Sequence, residues 1–162
     1  MLTRAAQFAV LAAIAVAGGG SASDAAVGPC TATETHSVAF AFARAWTRGD
    51  VAAVSRLVAP EPYFRWVSAA SPPGGRSGPR AFDRYSLSGW IRARHAHHEQ
   101  VTLTSFKFNG SDLRGKEGLG HFEFEATRSS DDWPPGMDTL RAGKGAIICT
   151  LARPMIAVWS LG

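Results

Sequence analysis

The chain is poor in the residues that chemistry usually draws on. It has only two cysteines and two tyrosines in 162 residues. Two cysteines allow one bridge at most. Basic residues never gather into a block, and the formal charge of +4 comes mostly from scattered arginines. A nucleic-acid binder concentrates such charge on one face or in runs, so no nucleic-acid partner is expected. No Gly-Lys-Ser/Thr precedes a helix, which excludes a nucleotide phosphate loop. Gly143-Lys144-Gly145 reads instead as the entry to a strand. Internal repeats are missing. Beyond the N-terminal segment, no apolar run approaches the ~20 residues that span a bilayer. What is present, 46% hydrophobic and 19% charged residues, excludes disorder and suits one domain.

The N-terminus reads as a targeting segment. Met1-Leu2-Thr3-Arg4 is a short positive region, Phe8 to Ala17 an apolar one, and Gly18 to Ser23 supply small residues for cleavage. The expectation is a signal peptide over 1–23, cut after Ser23 or within Asp24-Ala25-Ala26. A linker then covers 24–32, and one domain covers 33–162. The alternative is an uncleaved membrane anchor. Pro29 directly before Cys30 is wrong for lipid attachment. The protein is therefore expected to be secreted or periplasmic, with no stable membrane insertion after cleavage. In such a compartment Cys30 and Cys149 are expected to form a disulfide. It would close a loop of 149 − 30 = 119 residues. The chain-entropy model gives such a loop about 4–5 kcal/mol. Two buried free thiols are the alternative.

Thr31-Ala32-Thr33-Glu34 is a capping box for a first helix running to about Arg48, with Val38, Phe42, Ala45 and Trp46 on its apolar side. Gly49 stops that helix and Asp50 caps a second one. That reading is preferred to Arg48-Gly49-Asp50 as an adhesion tripeptide. Tyr63 to Ser68 reads as a strand, Ala69 to Pro79 as a loop, and Arg80 to His97 as a third helix with Phe82, Tyr85, Leu87, Trp90 and Ile91 on its apolar side. Val101 to Phe108 is the next strand, with Asn109-Gly110 as a hairpin-type turn. In Gly120 to Arg128, alternation puts Phe122, Phe124, Ala126 and Arg128 on a buried face and His121, Glu123, Glu125 and Thr127 on a solvated one. Ser129 to Arg141 is a polar loop. Gly143 to Leu151 and Met155 to Ser160 form a terminal hairpin.

This order predicts an α+β fold: a cone-shaped, curved, mainly antiparallel sheet covered by about three N-terminal helices. Three stretches carry a resemblance: Phe40 to Val54, with its helix–Gly-Asp–helix junction; the aromatic strand Tyr63 to Ser68 followed by a helix; and the terminal strand pair. Together they make most of residues 33–161 similar to the nuclear transport factor 2-like superfamily. That superfamily includes SnoaL-like polyketide cyclases and ketosteroid isomerases. The resemblance implies a pocket at the open end of the cone, between helices and sheet. It also implies homodimers paired through the open sheet face.

Ketosteroid isomerase-type sites pair a buried aspartate base with a tyrosine donor. Here Asp50, Asp83, Asp112, Asp131, Asp132 and Asp138 are expected at caps, on a helix surface and in loops, with none on a strand to serve as base. His95 with His98 or Glu99 shares a helix face, but the stronger reading is a cationic helix C-terminus, and no zinc spacing is present. A bridged Cys149 cannot be a nucleophile. Trp66, Tyr85, Phe122, Phe124, Arg128 and Trp159 are the expected pocket residues. Arg128 is the sharpest of them, because a guanidinium on an apolar face needs an acid partner or an anionic ligand. The sequence thus points to an exported domain that binds a small hydrophobic or anionic ligand, or a protein partner, in or beside its cone, with no cofactor and no metal. The alternative is a SnoaL- or ketosteroid-isomerase-like enzyme acting on a small hydrophobic substrate, with His121 or Glu123 as the catalytic base.

Overall fold

A computed structural model of the chain describes residues 30–70, 79–114, 117–137 and 139–162. The expected signal peptide, most of the linker, the centre of the proline- and glycine-rich loop and Asp138 lie outside the described residues. Three helices, α1 (Ala32–Thr47), α2 (Val51–Leu57) and α3 (Arg84–Ala96), accompany six strands. The strands are β1 (Trp66–Ala69), β2 (Pro79–Ala81), β3 (Gln100–Arg114), β4 (Glu117–Ser129), β5 (Leu140–Ile148) and β6 (Met155–Leu161). They form one sheet in the order β2-β1-β6-β5-β4-β3. Every neighbouring pair is antiparallel except β1 with β6. The curved sheet with helices against one face is the α+β cone that the sequence predicts.

The helix signals act as their chemistry demands. The Thr31 hydroxyl accepts from the Glu34 amide at 3.2 Å, and the Glu34 carboxylate accepts from the Thr31 amide at 3.1 Å. This satisfies two of the orphan donors at the start of α1. Ala39, Phe42, Ala43 and Trp46 then fall on one helical face and are buried. Thr47 binds the backbone of Val101 in both directions, 2.8 and 3.0 Å, and so ties the end of α1 to β3. Gly49 follows with φ +62°, and the His95 ring sits where a side chain would go, 2.4 Å from an ideal Cβ. Only glycine meets both demands. Asp50 accepts from the Ala53 amide at 2.9 Å and starts α2.

Four sequence expectations are corrected. The third helix begins at Arg84, not Arg80: Pro79–Ala81 pairs with β1 as a short strand, and Asp83 caps the helix by accepting from the Ser86 amide at 2.6 Å. That cap holds the Asp83 carboxyl below its usual value. The inward face of α3 is consequently Leu87, Ile91 and Arg94, and Phe82 and Tyr85 are left exposed. The strand expected from Tyr63 starts at Trp66, because Pro60 to Tyr63 is spent on a turn. Asn109-Gly110 is not the hairpin turn. Both residues oppose His121 alone in a bulge, with Gly110 at φ +97°, and β3 continues to Arg114. Asp112 therefore lies on a strand, not in a loop.

A disulfide joins Cys30 to Cys149, with Cα atoms 5.4 Å apart. It fixes the chain just before α1 to the end of β5. Gly120 lies beneath it, and an ideal Cβ there would stand 2.6 Å from the Cys30 Cβ.

Candidate functional site

The inner face of the cone is filled. Phe122, Phe124 and Ala126 alternate inward from β4, and Trp159 and Leu161 from β6. Trp159 lies 4.4 Å from Phe124 and 4.8 Å from Phe42, ring centre to ring centre, and Trp46 packs edge-on to Trp90 at 4.5 Å. Between β4 and β6 the register places Gly145 opposite Phe122 and Gly143 opposite Phe124. Ideal Cβ atoms there would stand 2.4 and 2.2 Å from the phenyl rings. The glycines of the terminal hairpin thus let two rings lie over the strand backbone and close the interior.

Where α3 meets β3, the interior is closed by ions. Glu99 and Arg128 are both fully buried. Arg128 donates to the two Glu99 oxygens at 3.0 and 3.3 Å and also to the Ala70 carbonyl. Arg94 donates to the same Glu99 from the other side and to both Asp132 oxygens at 2.9 and 2.8 Å. Ser130 joins the set, accepting from Arg94 and donating to the His97 carbonyl. The Arg128 guanidinium also lies between aromatic faces, 5.0 Å from Trp133 and 5.9 Å from Trp46. Burial pulls the Arg128 pKa below its ordinary value, opposed by Glu99. Burial acts the same way on Arg94, but Asp132 and Glu99 outweigh it and raise its pKa. The Arg94 hydrogen bond holds Asp132 far below the usual carboxylate range. Arg128 has found the acid partner its position demands, and that partner is internal.

Space for a ligand lies on the other face of the sheet. Register carries two rows of outward side chains across the strands: Trp66, Val158, Ala146 and His121, then Ser68, Ser160, Lys144, Glu123 and Lys107. A groove of about 580 Å³ is lined by Lys107, Glu123, Glu125, Ala142, Lys144 and Ser160, among others. A second, of about 300 Å³, is lined by Trp66, Asn109, His121, Glu123 and Val158, among others. Lys107 lies 4.0 Å from Glu123. His121 Nε2 lies 3.2 Å from Asp112 Oδ1, a pair assembled across the bulge at Asn109-Gly110.

The six expected pocket residues therefore separate. Phe122, Phe124, Arg128 and Trp159 are buried in the interior, and Phe124 and Phe122 also line the larger and the smaller outer groove respectively. Trp66 is on the outer face, because β1 pairs with β6 in the register that puts Val67 and Ala69 inside. Tyr85 is 89% exposed, in the first turn of α3. His121 and Glu123 share the outer groove with Trp66. His95, His98 and Glu99 diverge: His95 packs on Gly49, His98 turns to Asp131 at 2.6 Å, and Glu99 goes inward. Glu99 as the Arg128 partner was missed by sequence reasoning. The available signal was an acid directly following a helix C-terminus and preceding a strand whose neighbour carries an inward arginine.

No family model matches the chain, and no curated protein matches it. Solved structures do. A candidate dehydratase of the nuclear transport factor 2-like family from Streptomyces avermitilis superposes with TM-score 0.53 at 16% identity, over 80% of this chain and 92% of that one. A ketosteroid isomerase-like protein from Erwinia carotovora atroseptica gives 0.51 at 12% identity, over 80% and 92%. A nuclear transport factor 2-like protein with a cystatin-like fold from Novosphingobium aromaticivorans gives 0.50 at 14%, over 80% and 79%. At such identities the likeness concerns backbone architecture alone. The chain has the nuclear transport factor 2-like fold, with a packed interior and its two larger described grooves on the outer face of the sheet.

Proposed function

We propose that this is an exported binding domain that takes a small molecule on the outer face of its sheet and performs no chemistry on it. The ligand class is a molecule with an apolar body and one anionic group. The observation that carries this reading is the 580 Å³ groove on the sheet face opposite the helices, beside an interior occupied by its own aromatic rings. That volume suits a small-molecule site. The lysines 107 and 144 offer ammonium groups to an anion, and the exposed backbone of Gly143 and Gly162 offers flat surface. The Cys30–Cys149 bridge supports an oxidising compartment.

The test is a titration of the mature protein with a panel of aromatic carboxylates, followed by amide chemical shifts. Shifts are expected at Gly143, Lys144 and Gly162, and Ala142→Trp, which fills the groove from a solvent-exposed position, is expected to abolish them. Shifts confined to interior residues would overturn the reading. So would a dimer in sedimentation that Ala142→Trp dissociates, since a second copy would then be the occupant.

One observation favours an enzyme instead: the His121–Asp112 pair in the smaller groove, beside Trp66 and Glu123. A carboxylate at one ring nitrogen orients the imidazole to act as a base through the other. Turnover of any substrate in an isomerase and cyclase panel, lost in His121→Ala, would establish this second reading.

A further inference from the structure

A separate groove lies on the helical side of the molecule. Arg44 stands in the last turn of α1 and Arg48 is its C-cap, one turn apart and both exposed. Arg56 stands in the last turn of α2, and Arg153 in the connection between β5 and β6. All four line one groove of about 210 Å³, whose remaining walls are alanines and Leu57. No acidic residue among those described lines it. Among the described residues, none of the four guanidinium groups forms an ion pair. Arg153 is held in place by donating to the Arg56 carbonyl at 2.8 Å.

Helix dipoles account for part of this. Arg44, Arg48 and Arg56 stand at helix C-termini, where a cation is favoured. They do not account for Arg153, which arrives from the other end of the chain. Nor do they explain why no carboxylate among the described residues joins the groove. Four like charges around one groove repel one another until an anion enters. A guanidinium presents paired donors that match an oxyanion, and several of them match a doubly charged one. We propose that this groove binds the phosphate group of a small phosphate monoester. The site shares no residue with the outer sheet grooves, so either proposal can fail without the other.

Calorimetric titration of the mature protein with glycerol 2-phosphate tests it, with inorganic phosphate and phosphatidylglycerol vesicles as parallel arms. Saturable binding of the ester is expected. Arg44→Gln and Arg153→Gln, both at exposed positions, are each expected to weaken it tenfold or more, about 1.4 kcal/mol. Arg92→Gln, at an exposed position of α3 that lines none of the three grooves, is expected to leave it unchanged. Binding of inorganic phosphate with the same dependence on the arginines supports the site as a phosphate receptor. Absence of binding, wild-type affinity in both arginine variants, or binding confined to the vesicles would overturn the proposal, the last in favour of a membrane headgroup.

Discussion

Glu99→Gln isolates the ion network that closes the interior. The substitution keeps the side chain's shape and removes its charge. Glu99 is the only carboxylate that Arg128 reaches among the described residues, and both groups are fully buried. Arg128 would be left with one neutral amide oxygen in place of the carboxylate, the Ala70 carbonyl, two aromatic faces and the repulsion of the nearby Arg94. Removing one partner of a buried pair costs about 3–5 kcal/mol. A domain of this size has roughly 5–15 kcal/mol in all. The expected result is a fall in the urea midpoint at unchanged slope, and a melting temperature lower by on the order of 10 °C or more. Adding Arg128→Met should recover part of the loss, because the orphaned charge goes too. Recovery should be incomplete, since Ala70 loses its donor. A single-variant loss under about 1 kcal/mol, or strict additivity in the double variant, would refute the argument, because it would mean that water reaches the pair.

Three further outcomes are expected. Cys149→Ser should lower stability by about 4 kcal/mol, measured in urea, because the bridge closes a loop with sequence separation 119. Gly145→Ala should cost about 1–3 kcal/mol in the same assay, since its Cβ would meet the Phe122 ring at 2.4 Å and the Val158 carbonyl at 2.7 Å. Asp132 has a folded pKa depressed mainly by Arg94, so its contribution is complete above the unfolded value near 4 and is lost as pH falls below it. Stability measured from pH 5 down to pH 2 should therefore fall more steeply in the wild type than in Asp132→Asn.

Legibility in the sequence followed the range of the interaction. Thr31 with Glu34 and Asp50 with Ala53 are three residues apart, so their hydrogen bonds could be read directly. The Phe122 to Arg128 alternation was equally plain, because a strand's period is fixed by its own backbone. The limits of α3 were less so: apolar Phe82 and Tyr85 extend its helical pattern backward, but a three-residue strand and an aspartate cap decide where it starts. Trp66 shows the same limit in a sheet. Its strand was recognised, while its face depended on a parallel pairing with residues more than ninety positions away.

The sequence by itself determined the caps of α1 and α2, the Gly49 junction, the two faces of β4, the α+β class and the one possible disulfide. Each of these rests on neighbours along the chain or on a count of residues. Tertiary structure alone decided that the cone is filled, that Arg128 answers to Glu99, that Asp112 reaches His121, and that four arginines from three elements share a groove. Those outcomes depend on strand register and helix placement, which bring together side chains whose separation in sequence carries no period to read.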